Sequence, residues 1–348
     1  LIYLLFVVIF SYVALPAEFA IGRKMGTGTL GAYRGAWQTR GKTAGRAGGF
    51  VGWLPLAGSM CIAIGYAVII SYVLKALVDS MTGTLMSTDT EVWFSSFSGS
   101  AFSVVPYHII VVVGTLLTLS LGAHSIEKTN KIMMPLFFVI FLILAVRVAF
   151  LPGSGEGYRF MLTPNWEALK DPMVWIWAMG QAFFSLSVTG SGMIVYGAYL
   201  SKNEDVVGVA RHTAIFDTIA ALVASLVIIP ACFSYGVSPN QGASLIFETL
   251  PQVFVNMKGG RLWGTLFFLF MIFASFSTVL AVFENILAIC MDTFGVSRRK
   301  AALINGILLA VLSLPCVLGF NVWGNLNLIG ARGVLDSEDF LVSNLFLP

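Results

Sequence analysis

Apolar stretches about twenty residues long recur from one end of this chain to the other, and they dictate the fold class. At about 1.5 Å of rise per residue, each can cross a hydrocarbon layer about 30 Å thick as an α-helix. They lie near residues 1–22, 50–73, 105–122, 132–151, 173–200, 213–236, 262–292 and 300–320, with a shorter stub over 334–348. The runs are rich in Leu, Ile, Val and Phe and lack the period-two alternation of membrane β-strands. Only 11% of the 348 residues are charged, against about a quarter in soluble domains. A soluble globular chain is excluded, which leaves an all-α polytopic membrane protein with a single transmembrane domain.

Charge orients it. From Ile21 to Val73 the basic residues are Arg23, Lys24, Arg34, Arg40, Lys42 and Arg46, with no Asp or Glu, which marks the loop 23–49 as cytoplasmic. Alternation then makes residue 1 extracytoplasmic. The other inner loops agree: they hold Lys128 and Lys131, Lys202 and Arg211, and Arg298, Arg299 and Lys300. The outer segment 78–104 carries Asp79, Asp89 and Glu91 and no basic residue. The expected location is the cell membrane, with the bilayer as partner; a net charge of +3 spread this way gives no footing for nucleic acid.

Several chemistries fall away. Cys61, Cys232, Cys290 and Cys316 lie inside apolar stretches without a CxxC pair and read as buried thiols. His108, His124 and His212 are scattered near the ends of stretches, so neither a metal centre nor a catalytic base is indicated. An intramembrane enzyme using Asp217 and Glu284 lacks any nucleophile–base spacing, and a channel would favour rings of like residues. Residues 237–261, with four Pro and Gly around SLIFETLPQVFV, are too short to span; they read as a helical hairpin over an outer vestibule or as an ordinary loop.

Polar groups inside the apolar stretches carry the functional signal. Within GQAFFSLSVTGSGMIVYGAY, Ser185, Ser187, Thr189, Gly190, Ser191 and Gly192 crowd together on all faces of a helix. Such residues let a helix unwind, and the freed backbone groups need a ligand, an ion or neighbouring protein; a close packing seam is the alternative. Asp217 lies four residues into an apolar stretch, where a carboxylate faces a cavity, a cation or a proton path unless it sits at the interface. Glu284 suits an interhelical hydrogen bond from a protonated acid or an ion contact equally well. Ser277 and Thr278 follow Ala274 by three and four residues, which places two hydroxyls and a carbonyl on one helix face. Oxygen-only clusters suit hard cations such as sodium, although such hydroxyls commonly bond back to their own carbonyls.

At these residues the sequence resembles the neurotransmitter:sodium symporter family, whose bacterial members carry amino acids on the LeuT fold, an inverted five-helix repeat. PAEFAIGR at 16–23 looks like the end of family helix 2, IAIGYAVIISY at 62–72 like helix 3, and IEKTNKIMMP at 126–135 like the start of helix 5. VWIWAMGQAFFSLS at 174–187 is similar to helix 6, FASFSTVLAVFE at 273–284 to helix 8, and VLDSEDF at 334–340 to the start of helix 10. The resemblance implies a fragment covering family helices 2–9 and the start of helix 10, taken from a longer sodium-coupled amino acid symporter that works by alternating access.

It also implies roles. Ser185 and Asp217 fall at a first sodium site, and Ala274, Ser277 and Thr278 at a second. Ile62, Tyr66, Phe184, Ser187, Gly190, Thr278 and Val282 fall in the central substrate pocket, Asp339 at an outer gate and Asp292 at an inner gate. Chloride-dependent members hold their anion with groups whose counterparts are Tyr3, Gln181 and Ser185, plus two positions on helix 7 where this chain has Asp217. Two negative charges about 4–6 Å apart repel by several kcal/mol at intermediate dielectric, so chloride is expected to be dispensable. Gly190 stands where a leucine-accepting relative has a bulky aromatic, freeing on the order of 100 Å³ in a pocket of about 300–1,000 Å³. With Ile62, Phe184 and Val282 as apolar walls, the expected substrate is a large hydrophobic or aromatic amino acid.

Overall fold

The computed structural model describes residues 2–188, 192–236, 245–330 and 332–342. Helices α1 (Ile2–Tyr12) and α2 (Ala14–Met25) run nearly end to end, and α3 (Thr29–Gln38) and α4 (Lys42–Val51) fill the basic segment before α5 (Trp53–Thr82). Short helices α6 (Thr84–Ser87) and α7 (Thr90–Gly99) lead to α8 (Val105–Ser120), α9 (Ala123–Ala149) and α10 (Ser154–Leu162). Then come α11 (Pro172–Ser185), α12 (Gly192–Tyr199), α13 (Val206–Ser234), α14 (Leu250–Asn256), α15 (Gly260–Phe294), α16 (Arg298–Leu318) and α17 (Val334–Leu341). Among the described residues, six helical segments are long and apolar enough to cross a membrane: Ile2–Met25, Lys42–Thr82, His124–Ala149, Val206–Ser234, Gly260–Phe294 and Arg298–Leu318.

Helices outrun the apolar stretches where polar residues still sit well on a helix. The first turns of α9 precede the stretch at 132–151 because Glu127 and Lys131 pair across one turn at 2.6 Å. Likewise 245–256 is helical, a π turn over Leu245–Thr249 leading into α14; residues 237–244 lie outside the described residues. Two of the four thiols, Cys232 and Cys316, are buried as expected, whereas Cys61 and Cys290 are only half-buried.

Apolar side chains gather into two separate clusters. The larger joins α5, α8, α9, α15 and α16, for example through the stacked rings of Phe141 and Phe270 at 3.8 Å. Tyr72, Phe94, Phe97, Phe247 and Phe320 close one end of it edge to face. The smaller joins α1, α2, α11 and the first half of α13 through Val7, Leu15, Phe19, Ala182, Leu186 and Ala210. Helix α12 belongs with the smaller cluster, where Met193 and Tyr196 pack against it. Its crossing with α2 is backbone to backbone: a Cβ on Gly22 would strike the Ile194 carbonyl, and one on Gly197 would strike that of Phe19. Only glycine permits that approach on both sides.

Candidate substrate and ion site

Between the two clusters lies a cavity of about 350 Å³. Its origin is the interruption after α11. The amide of Leu186 still bonds to the Ala182 carbonyl at 3.1 Å, but Ser187 adopts φ +52°, and the chain leaves the helix. A non-glycine residue in the left-handed region costs about 1–2 kcal/mol, and such conformations cluster at functional sites. Helix α12 restarts at Gly192, so the carbonyl end of one short helix and the amide end of the other both border the cavity. Thr189, Gly190 and Ser191 lie outside the described residues, and with them the role expected of Gly190.

Ser59, Ile62 and Tyr66 of α5 form one wall, and Thr278, Ala281, Val282 and Asn285 of α15 a second. Gln181, Phe184, Ser185, Ser187, Gly192, Met193 and Tyr196 face them from the broken helix, with Asp217 of α13. Sequence reasoning missed Ser59, Met193, Tyr196, Ala281 and Asn285. Extending the helical spacing from Ile62 back to Ser59, and from Thr278 on to Ala281 and Asn285, would have found three of them.

Asp217 is the polar centre. Ser185 Oγ donates to its Oδ2 at 2.7 Å, and Tyr3 Oη lies 3.4 Å from the same oxygen and 3.2 Å from Ser185 Oγ. The carboxylate, a hydroxyl and a phenol thus converge from α13, α11 and α1, all helices of the smaller cluster. On α15, Ser277 Oγ and Thr278 Oγ1 both donate to the Ala274 carbonyl, at 2.8 and 3.1 Å. That is the back-bonding geometry, in which each hydroxyl still keeps lone pairs to offer. Thr278 lines the cavity; Ala274 and Ser277 sit beside it, off the wall.

The two acids expected at gates lie apart from the cavity. Asp292 accepts the Gly28 amide at 2.5 Å, and Asp339 is exposed on α17. Glu284 is paired rather than facing a cavity alone: it is 1% exposed, and both terminal nitrogens of Arg298 meet its two oxygens. Tyr199 Oη donates to Glu284 Oε1 at 2.8 Å, and Arg298 Nε donates to the Leu119 carbonyl at 2.9 Å. This node joins α12 of the smaller cluster to α8, α15 and α16. A second cavity of about 760 Å³, lined in part by Tyr199 and Glu284 of this node, shares Met193 and Tyr196 with the first. Those two side chains form the partition.

The model of the Sodium:neurotransmitter symporter family matches residues 96–323. The sodium-dependent transporter YhdH of Bacillus subtilis (strain 168) is 30% identical over all of this chain and 76% of its own length. A sodium-dependent transporter of Haemophilus influenzae is 28% identical over 98% of the chain and 77% of its own length. The fold is similar to the crystal structure of MhsT in complex with L-phenylalanine, with a TM-score of 0.88, 32% identity, and coverage of 99% of this chain and 79% of that one.

Proposed function

This chain belongs to the sodium:neurotransmitter symporter family, a family of secondary transporters and not of enzymes, and we propose that it forms the carrying core of a symporter for a large hydrophobic or aromatic amino acid. One observation carries the proposal: a single cavity sets the apolar wall of Ile62, Phe184 and Val282 against the oxygens of Ser185, Asp217 and Thr278. An amino acid zwitterion needs both kinds of surface at once. The binding of phenylalanine by MhsT supports the size assigned to the side chain.

Two sodium ions are assigned, one to Ser185 with Asp217 and one to Ala274, Ser277 and Thr278. Asp217 supplies the negative charge that Tyr3, Gln181 and Ser185 would otherwise hold as chloride, so transport runs without that anion. The basic end faces the cytoplasm, and Asp292 and Asp339 stand at the inner and outer gates. Access alternates when the smaller cluster turns against the larger, which moves the Met193–Tyr196 partition relative to α5 and α15. The deciding experiment is concentrative uptake by the full-length protein in proteoliposomes, in sodium against potassium, with each of the twenty amino acids as competitor. Sodium-driven uptake blocked best by phenylalanine, tryptophan or tyrosine is expected. Equal uptake in potassium, or glycine and alanine competing better than every aromatic, refutes it.

A further inference from the structure

The chain passes from the smaller cluster to the larger within five residues, Met25 to Thr29. Upstream, α2 is locked to α12 by the reciprocal contacts of Gly22 and Gly197. Downstream, α3 is held by α15. The Gly28 amide donates to Asp292 Oδ2 at 2.5 Å, and Thr29 Oγ1, fully buried, donates to Asn285 Oδ1 at 3.1 Å. Asn285 Nδ2 in turn donates to Ser59 Oγ on α5 at 3.0 Å. Asn285 and Asp292 are seven residues apart, so they share one face of α15, and Leu30 packs against the larger cluster beside them.

The two glycines at the crossing do different work. A Cβ on Gly28 would sit 3.1 Å from Ile289 Cγ1 and 3.2 Å from Asp292 Oδ2, so that position is set by close approach. Gly26 has φ +62° and nothing within 4 Å of a Cβ, so it is set by conformation in open space. Contact from α3 back to α2 includes the thioether of Met25 over Gly35, a flexible side chain that can slide.

We infer that Asn285 and Asp292 are positioning residues that clamp α3 to the α5–α15 frame, which makes Gly26–Gly28 the hinge on which α2 and α12 turn. Asn285 also walls the substrate cavity, so one amide serves both the pocket floor and the clamp. The inference rests on the alternating-access proposal above and adds to it where the motion is absorbed and what holds still.

Double electron–electron resonance on the full-length protein tests it, with spin labels at exposed Gln38 on α3, Lys300 on α16 and Lys202 after α12, in sodium and in potassium. The 202–300 distance is expected to shift between the two ions while 38–300 stays fixed. If 38–300 shifts together with 202–300, α3 travels with α2 and the hinge is lost, although the moving cluster survives. If neither shifts, the motion itself is refuted and the hinge with it. Thr29→Val, which keeps the shape and removes the hydroxyl, should broaden the 38–300 distribution and lower turnover severalfold at unchanged sodium affinity. Thr29→Ser should restore both. A Thr29→Val protein with a narrow 38–300 distribution and normal turnover overturns the clamp.

Discussion

Replacing Arg298 by Ala isolates the buried node where α12, α15 and α16 meet. Glu284 is 1% exposed, and it loses both guanidinium contacts, keeping the Tyr199 phenol at 2.8 Å among the partners seen here. Removing one partner of a buried pair costs about 3–5 kcal/mol, because the remaining charge is stranded. A protonated Glu284 would change the expectation: the variant would then lose little beyond the bond to the Leu119 carbonyl, about 1 kcal/mol. At roughly 2 °C per kcal/mol for a chain of this size, the ion pair predicts a fall of about 6–10 °C in apparent melting temperature. The assay is thermal inactivation in detergent of Arg298→Ala, of Glu284→Gln, and of the apolar double variant Glu284→Leu/Arg298→Met. The double variant should recover most of the loss, since well-packed apolar residues often match a buried pair. A drop of a degree or two in Arg298→Ala, with no recovery in the double variant, refutes the buried ion pair.

Ser277→Ala combined with Thr278→Val should raise the sodium concentration needed for half-maximal uptake; a change in amino acid affinity alone would count against the second ion site. Asp217→Asn should make uptake depend on chloride or abolish it, and undiminished uptake in gluconate would contradict the fixed charge. Gly197→Ala forces α12 off the Phe19 carbonyl, an overpacking worth about 1–3 kcal/mol, and should lower the melting temperature measurably. Tyr72→Phe removes a buried hydroxyl that has no hydrogen-bond partner among the described residues, so stability should hold or rise by about 1 kcal/mol.

The membrane-spanning pattern is plain in the sequence because hydrocarbon allows so few ways to satisfy a backbone. The density of small and hydroxylated residues after Phe184 announces a weak helix, and the chain leaves α11 at Ser187. What sequence conceals is which polar residue meets which. Asn285 reads as one more amide in an apolar helix until Thr29, 256 positions away, supplies its partner. Arg298 reads as loop charge beside Arg299 and Lys300, yet the turn after α15 folds it back over Glu284, only fourteen residues upstream. Periodicity assigns a helix face; it does not say whether a cavity or a neighbouring helix lies opposite.

The backbone lock between α2 and α12 has a mechanical consequence. From Gly26 to Tyr3 the chain rises about 1.5 Å per residue over twenty-three residues, an arm of roughly 35 Å. A rotation of about 10° at the root would sweep its tip by roughly 6 Å and Gly22 by only about 1 Å. Carbonyls seated on bare Cα atoms resist such shear with no side chains to bend, so little of the sweep is lost as slack. Tyr3, Ser185 and Asp217 all ride that arm or its partners, while Thr278 does not. If α2 and α12 turn as proposed, an ion held by the first three is a passenger, and the gap separating it from the stationary hydroxyl measures how far the stroke has gone.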